Sequence, residues 1–290
     1  MKEVIRKVLS WLDKVGNSIF SLALVVVMSK RGVDGGKAMR RECIILGNGP
    51  SLSIDLVNNP GLCAGKDIVC VNYFALSEIY EEIMPNHYVV LDPDIWDDNL
   101  KQGVEDRDKF IEYMCSKTKW ELNFFIPVEA RRSKVFSKLS TNSNININLY
   151  NRTPVDGFGW LVNGIYKRGL GMPRPYNVLV ASIFLAINMG YEKVYFVGAD
   201  HSWHEDILVG KDNVLYVRQH HFYDDAENVV LTPFFNAGDK GVFDMHQVFS
   251  GWAKLYYSYK LLRHFADKSG VSVLNASSKS YIDSFDRTEL

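Results

Sequence analysis

The chain has 290 residues, enough for one large domain or two small ones. A hydrophobic share of 47% against 23% charged residues is that of a globular protein, which excludes a disordered or low-complexity chain. The formal net charge of -1 supplies no field to draw in nucleic acid.

The first 40 residues differ from the rest. Val4, Ile5, Val8, Leu9, Trp11, Leu12 and Val15 recur at helical spacing, with Lys2, Arg6, Lys7 and Lys14 between them. An apolar run from Ile19 to Met28 follows, then Lys30, Arg31, Lys37, Arg40 and Arg41. The uncharged stretch from Val15 to Ser29 is shorter than the roughly 20 residues of a spanning helix, and no small-residue cleavage site follows it. An apolar face with basic flanks predicts a helix lying in a membrane surface; packing on the domain or on a partner subunit is the alternative. Residues 1–36 therefore read as a membrane-associating amphipathic helix and linker, with 37–290 as the folded domain.

The domain opens on Arg41–Leu52. Cys43-Ile44-Ile45-Leu46 has the pattern of a buried strand and ends in Gly47-Asn48-Gly49-Pro50-Ser51. Two glycines allow a sharp turn and close backbone approach, and Pro50 suits the first turn of a helix. Strand, glycine turn and helix start together predict free backbone N–H groups presented to a phosphate, although neither GxGxxG nor GxxxxGK[ST] is present. An ordinary tight turn uses similar residues.

Further apolar runs alternate with helical patterns. Strands are predicted at 67–71, 87–91, 122–126, 145–149, 193–197 and 271–274, and helices at 176–189 and 246–268. This alternation predicts a parallel sheet covered on both faces, an α/β fold. Residues 203–243 lack periodicity and are rich in His, Tyr and Asp, as in a lid or binding loop. Cys43, Cys63, Cys70 and Cys115 lack metal-ligand spacing and read as reduced thiols of a cytosolic protein.

In such sheets ligands bind beyond the carboxyl ends of the strands. Polar residues collect there: Asn48, Asn72, Asp92 and Asp94, Asp200 and His201, Asn275 and Ser277. Each has a plainer role available, because Asn and Asp also cap helices and close turns. Asp92 and Asp94 offer a place for Mg²⁺ together with substrate phosphates, or simply end a strand. His201, His204, His220, His221 and His246 are available for proton transfer near neutral pH, without the spacing of a zinc site. His87 and His264 read as structural.

With Ile44–Leu52, Cys70-Val71-Asn72, the Asp92-Pro93 turn and the Gly190–Asp200 block in view, the chain resembles the bacterial sialyltransferases of glycosyltransferase family 42. It also resembles their relatives, the central domain of motility accessory factors and the 6-hydroxymethylpterin diphosphokinase-like domain. The resemblance spans about residues 42–277. It implies a Rossmann-like domain with a lid at about 203–243 and a CMP-activated sugar as donor. It places the donor against Gly47, Asn48, Gly49, Ser51, Asn72, Asp92, Asn177, Asn275 and Ser277. It makes His246 the base that deprotonates the acceptor hydroxyl, near Asp200 and His201, with no metal required. The family's Tyr two residues past the GxD turn is Ser202 here, a role left to His201 or Tyr223. Its Asn-Pro at the third strand end is Asp92-Pro93-Asp94 here, an acidic pair closer to the relatives.

The expected function is thus transfer of a 2-keto sugar acid, such as a sialic acid or Kdo, from CMP to a cell-surface glycan of the lipopolysaccharide or capsule kind. The expected place is the inner face of the cell membrane, reached through residues 1–28. Two alternatives stand beside it: a diphosphotransferase using Mg²⁺ on Asp92 and Asp94, and a non-catalytic scaffold of a glycan-assembly complex. Nucleic acid is not an expected partner, and a homo-oligomer is allowed.

Overall fold

The computed structural model describes residues 1–32, 36–101, 103–218, 231–235 and 241–290. Its centre is an eight-stranded, wholly parallel sheet. The strands are β1 (Glu42–Leu46), β2 (Asp67–Val71), β3 (His87–Val89), β4 (Leu122–Pro127), β5 (Ile145–Tyr150), β6 (Lys193–Val197), β10 (Ser272–Asn275) and β11 (Asp286–Arg287). The spatial order is β11-β10-β6-β1-β2-β3-β4-β5. From β1 the chain first steps outward through β2 to β5, then returns to place β6 on the other side of β1. The reversal point of this Rossmann-like fold therefore lies between β1 and β6, where Leu46 faces Val197.

Helices cover both faces, which is why the inner strands are apolar without alternation. The helices of the described residues are α1 (Lys2–Met28), which stands largely apart, and α2 (Ser51–Asn58), α3 (Tyr80–Ile83), α4 (Pro93–Trp96), α5 (Val104–Lys117), α6 (Lys134–Leu139), α7 (Gly159–Tyr166), α8 (Val178–Met189) and α9 (Met245–Ser269). Cys43, Ile45, Val69 and Phe196 point to one face, where they meet Val180, Ile183 and Phe184 of α8 and Tyr259 and Leu262 of α9. Ile44, Leu46, Cys70 and Val197 point to the other, against Leu52 of α2 and Phe110 and Met114 of α5. All four cysteines are free thiols.

The ends of α8 and α9 follow their sequences. Asn177 caps α8 by accepting from Val180 N, and Gly190 closes it at φ +89°. Asp244 and Gln247 form a reciprocal capping box at the start of α9. Residues 203–243 are not wholly irregular. They include a small antiparallel sheet of β7 (Ile207–Val209), β8 (Leu215–Arg218) and β9 (Leu231–Pro233). Strands of three or four residues are too short to show a period in sequence.

Helix α1 is longer than the uncharged run that prompted it. With 27 residues and an 18-residue apolar window it is long and apolar enough to cross a membrane, by length and composition alone. It touches the rest of the chain along a narrow polar stripe. Ser21 Oγ donates to Asp156 O at 2.8 Å and accepts from Asp156 N at 2.9 Å, while Ser18 Oγ accepts from Phe158 N at 3.0 Å. Val25 packs on the core, and Trp11 meets Phe158. Ile5, Leu9, Ile19, Phe20, Val26 and Val27 remain exposed.

Candidate functional site

A cavity of about 590 Å³ opens at the carboxyl edge of the sheet, over the reversal point. It collects the turns after β1, β2, β3 and β6, the start of α8, one face of α9 and parts of the small sheet. Asn48, Asn72, Asp92, Asn177, Asp200 and His201 all line it. Parallel strands make this convergence possible, because they all end at the same edge.

The turn after β1 works differently from its sequence expectation. Gly47 N–H donates to Val197 O at 2.9 Å and Gly49 N–H to Gly198 O at 2.8 Å. A Cβ on Gly47 would overlap the Gly198 carbonyl, and one on Gly49 would overlap the Asp200 carboxylate. These glycines serve the packing of two turns on each other, even though both also line the cavity. The start of α2 is not left open for a phosphate. Ser51 N–H donates to Asp200 Oδ2 at 3.1 Å and Ser51 Oγ to Asp200 Oδ1 at 2.7 Å. A carboxylate of the chain itself occupies the place where the helix end favours an anion. Ser51 is buried behind it, outside the cavity lining. Burial raises the Asp200 pKa, and the two bonds from Ser51 work against the rise. Asn48 stays at the cavity wall, donating to Val71 O at 3.3 Å; its Oδ1 is buried with no partner among the described residues.

Two asparagines orient two titratable groups. Leu91 N–H donates to Asn72 Oδ1 at 3.1 Å, which turns the Asn72 amide NH₂ onto Asp92 Oδ2 at 2.6 Å. Asn72 holds this pose at φ +45°. Burial, then the neighbouring Asp94 carboxylate, pushes the Asp92 pKa up to about 7. Asp94 itself accepts from Tyr73 OH at 3.1 Å and does not line the cavity. Asp92 and Asp94 therefore do not face the cavity as a metal-binding pair. Among the described residues no group of three or more His, Cys, Asp or Glu could hold a metal ion.

The second pair is Asn177 and His201. Val180 N–H fixes Asn177 Oδ1 as an acceptor at 3.2 Å, so the amide NH₂ is the group 3.0 Å from His201 Nε2. An amide NH₂ only donates, so Nε2 accepts and the imidazole proton sits on Nδ1. Tyr259 OH lies 2.7 Å from the same Nε2 and 3.1 Å from Asn177 Oδ1. His201 is buried at φ +54°, and burial lowers its pKa to about 3, so the ring is neutral. No described residue accepts a hydrogen bond from its Nδ1–H. The ring lies against Trp203 with centroids 4.4 Å apart, and Trp203 stacks with Trp252 of α9 at 6.2 Å. With Phe234, Phe243 and Leu255 they make one side of the cavity apolar and aromatic.

Other expected residues are not brought in. His246 is exposed near the start of α9 and does not line the cavity, whereas Gln247 and Val248 do. Asn275 and Ser277 are buried in their own turn: Asn275 Nδ2 donates to Ser280 Oγ at 3.0 Å, and Ser277 Oγ accepts from Ala199 N at 3.2 Å. They hold the turns after β10 and β6 together and do not line the cavity. His204 packs edge-on to Tyr281. His220, His221 and Tyr223 lie outside the described residues. Sequence reasoning missed Tyr259, Trp203, Trp252, Asp206 and Arg218. Tyr259 and Trp252 fall within the helical pattern of α9 and read there as ordinary core positions.

No protein-family model and no curated protein matches the chain. Among solved structures it is similar to the MAf glycosyltransferase from Magnetospirillum magneticum AMB-1, at 12% identity and a TM-score of 0.48. The likeness covers 96% of this chain and 38% of that one, so this chain spans well under half of that protein's length.

Proposed function

We propose that the chain is a glycosyltransferase that takes a CMP-activated 2-keto sugar acid as donor in the cavity over β1 and β6. The observation that carries this reading is the convergence of Asn48, Asn72, Asp92, Asn177 and His201 on that single cavity. In this reading the aromatic side formed by Trp203 and Trp252 takes a ring of the donor or acceptor. The acceptor hydroxyl gives its proton to Asp92, whose pKa of about 7 suits a base working near neutrality. The acceptor oxygen then bonds to the anomeric carbon, and the bond from that carbon to the phosphate oxygen breaks, its electron pair leaving on CMP. His201 donates from Nδ1–H to the departing phosphate and stays neutral throughout. Asp92 takes the part that the family pattern assigns to His246, because His246 stands outside the cavity.

Helix α1 supplies the second half of the proposal, attachment to a membrane carrying the acceptor. Its exposed apolar side chains and the excess of Lys2, Arg6, Lys7, Lys14, Lys30 and Arg31 over Glu3 and Asp13 suit an anionic bilayer surface.

A metal-assisted diphosphotransferase is the other reading. Asp92, Asp200 and Asp206 line the cavity with one guanidinium, Arg218, but among the described residues no three acids are grouped so as to hold a metal ion. The placement of Asp94 fits that reading poorly. A thermal-shift panel separates the two. Stabilisation by CMP without added Mg²⁺, retained in Asp92→Asn and absent with adenine nucleotides, is expected for the glycosyltransferase. Stabilisation only by a diphosphate nucleotide, lost on adding EDTA, replaces it with the diphosphotransferase. No response to any cytidine nucleotide overturns the donor assignment.

A further inference from the structure

A second cleft, of about 480 Å³, lies beside the chain's exit from α1. Lys30 and Arg31 line it from the end of the helix, and Arg131 lines it from the turn after β4. Ile147, Leu149 and Val128 make its apolar part, and no carboxylate lines it. None of the three cations is paired with a described acid. The neighbouring acid, Glu129, is engaged by Arg152 at 3.1 Å.

The cleft is held in shape by buried groups. Asn151, 2% exposed, accepts from Lys30 N at 2.8 Å and donates to Lys30 O at 2.8 Å. Ser29 Oγ donates to Thr153 Oγ1 at 2.8 Å. These bonds clamp the backbone at Ser29 and Lys30 between helix and sheet, so the exposed Lys30 and Arg31 leave it beside the cleft. The carbonyl end of a helix favours nearby cations, which accounts for Lys30 and Arg31 alone. Arg131 arrives from a segment 100 residues further on, and that argument does not cover it. In the last turn of α1, just before Lys30 in the chain, Val26 and Val27 are 83% and 77% exposed. Exposed apolar and cationic residues thus follow one another at the end of α1, the two kinds of group that the boundary between headgroups and acyl chains takes.

We propose that this cleft binds a phosphate-bearing anion, and that its source is the headgroup of an anionic phospholipid in the bilayer on which α1 lies. The lipid source rests on the membrane reading of α1; the anion site does not. A headgroup held here gives the domain a second point of attachment to the membrane beside α1.

The test uses the full chain with phosphatidylcholine vesicles, with and without phosphatidylglycerol, and a separate titration with glycerol 1-phosphate. Arg131→Gln is compared with Arg132→Gln, a neighbouring exposed arginine outside the cleft with the same charge change. The expected result is a loss of about tenfold in binding to phosphatidylglycerol vesicles for Arg131→Gln, and less than about twofold for Arg132→Gln. Binding to pure phosphatidylcholine should be unchanged in both. Equal losses in the two variants, or none in either, overturn the cleft as a site and leave a diffuse basic surface. If glycerol 1-phosphate binds in an Arg131-dependent way but vesicles show no preference for phosphatidylglycerol, the lipid source is overturned. If no vesicle binds at all, the membrane reading of α1 and with it the lipid source fail, and the glycerol 1-phosphate titration decides the anion site.

Discussion

Replacing Ser51 by alanine separates two roles that the turn after β1 can have. In the structure the Ser51 hydroxyl donates to Asp200 Oδ1 at 2.7 Å, with Ser51 3% and Asp200 5% exposed. Removing the hydroxyl leaves a buried carboxylate with one donor fewer. A hydrogen bond to a charged group contributes about 1.5–3 kcal/mol, so Ser51→Ala should destabilise by about 2 kcal/mol. For a chain of this size that lowers Tm by about 4 °C, at about 2 °C per kcal/mol. The loss should also depend on pH. Burial already raises the Asp200 pKa in the native state, and without the hydroxyl it rises further. The variant's native state then holds the proton at a pH where the unfolded chain has released it, so the deficit grows as pH rises through the carboxylate range. Calorimetry across pH measures this, and a CMP titration measures the alternative role. Because the hydroxyl is spent on Asp200 and lies outside the cavity, CMP affinity should stay within about twofold. An unchanged Tm with a collapsed CMP affinity would refute the reasoning and restore Ser51 to the ligand.

Two other perturbations address the proton and the helix. Asp94→Asn removes the second cause of the raised Asp92 pKa, so the rise of kcat/KM with pH, expected near 7, should move to lower pH; a limb that does not move assigns it to another group. The sign for stability follows from the same shift: native Asp92 keeps its proton up to about 7 while the unfolded group loses it near 4, so stability falls over that window, and the fall should be shallower in the variant. Gly157→Ala places a Cβ 2.9 Å from Ser18 N at a φ of +136°, which should break the Ser18 and Ser21 contacts that dock α1. Loss of about 2 kcal/mol there predicts about 30-fold faster amide exchange in α1 with the sheet's exchange unchanged, and equal acceleration in helix and sheet, or no change in α1, contradicts the docking described.

The inner strands are legible because they are covered on both faces: Ile44, Ile45, Val69 and Phe196 need no alternation, and that continuity is itself the sign of a parallel sheet. The common edge at which Asn48, Asn72, Asp92 and His201 meet follows from strand direction, so it too can be read without coordinates. What each tip does there cannot. Asn275 has the same residue type and the same strand-end position as Asn72, yet it bonds Ser280 within its own turn, because an Asn serves an Asx turn and a ligand equally well. The pairing of Ser51 with Asp200 joins positions 149 residues apart, and a helix start that binds a phosphate has the same local residues as one that binds its own aspartate.

The difference between a tip that closes a turn and one that serves the cavity lies in which groups the asparagine amide is made to face. At Asn72 and at Asn177 a backbone N–H, from Leu91 and from Val180, claims the amide oxygen and leaves the NH₂ no choice but a titratable neighbour. One NH₂ donates to the Asp92 carboxylate, which favours its charged form against the burial that disfavours it. The other donates to His201 Nε2, which forces the proton to Nδ1 and keeps a neutral donor in a cavity otherwise rich in carboxylates. The chain thus presents an oriented proton acceptor and an oriented proton donor at one cavity, each set by an amide whose direction the backbone dictates. A group transfer that deprotonates one oxygen and stabilises another needs both.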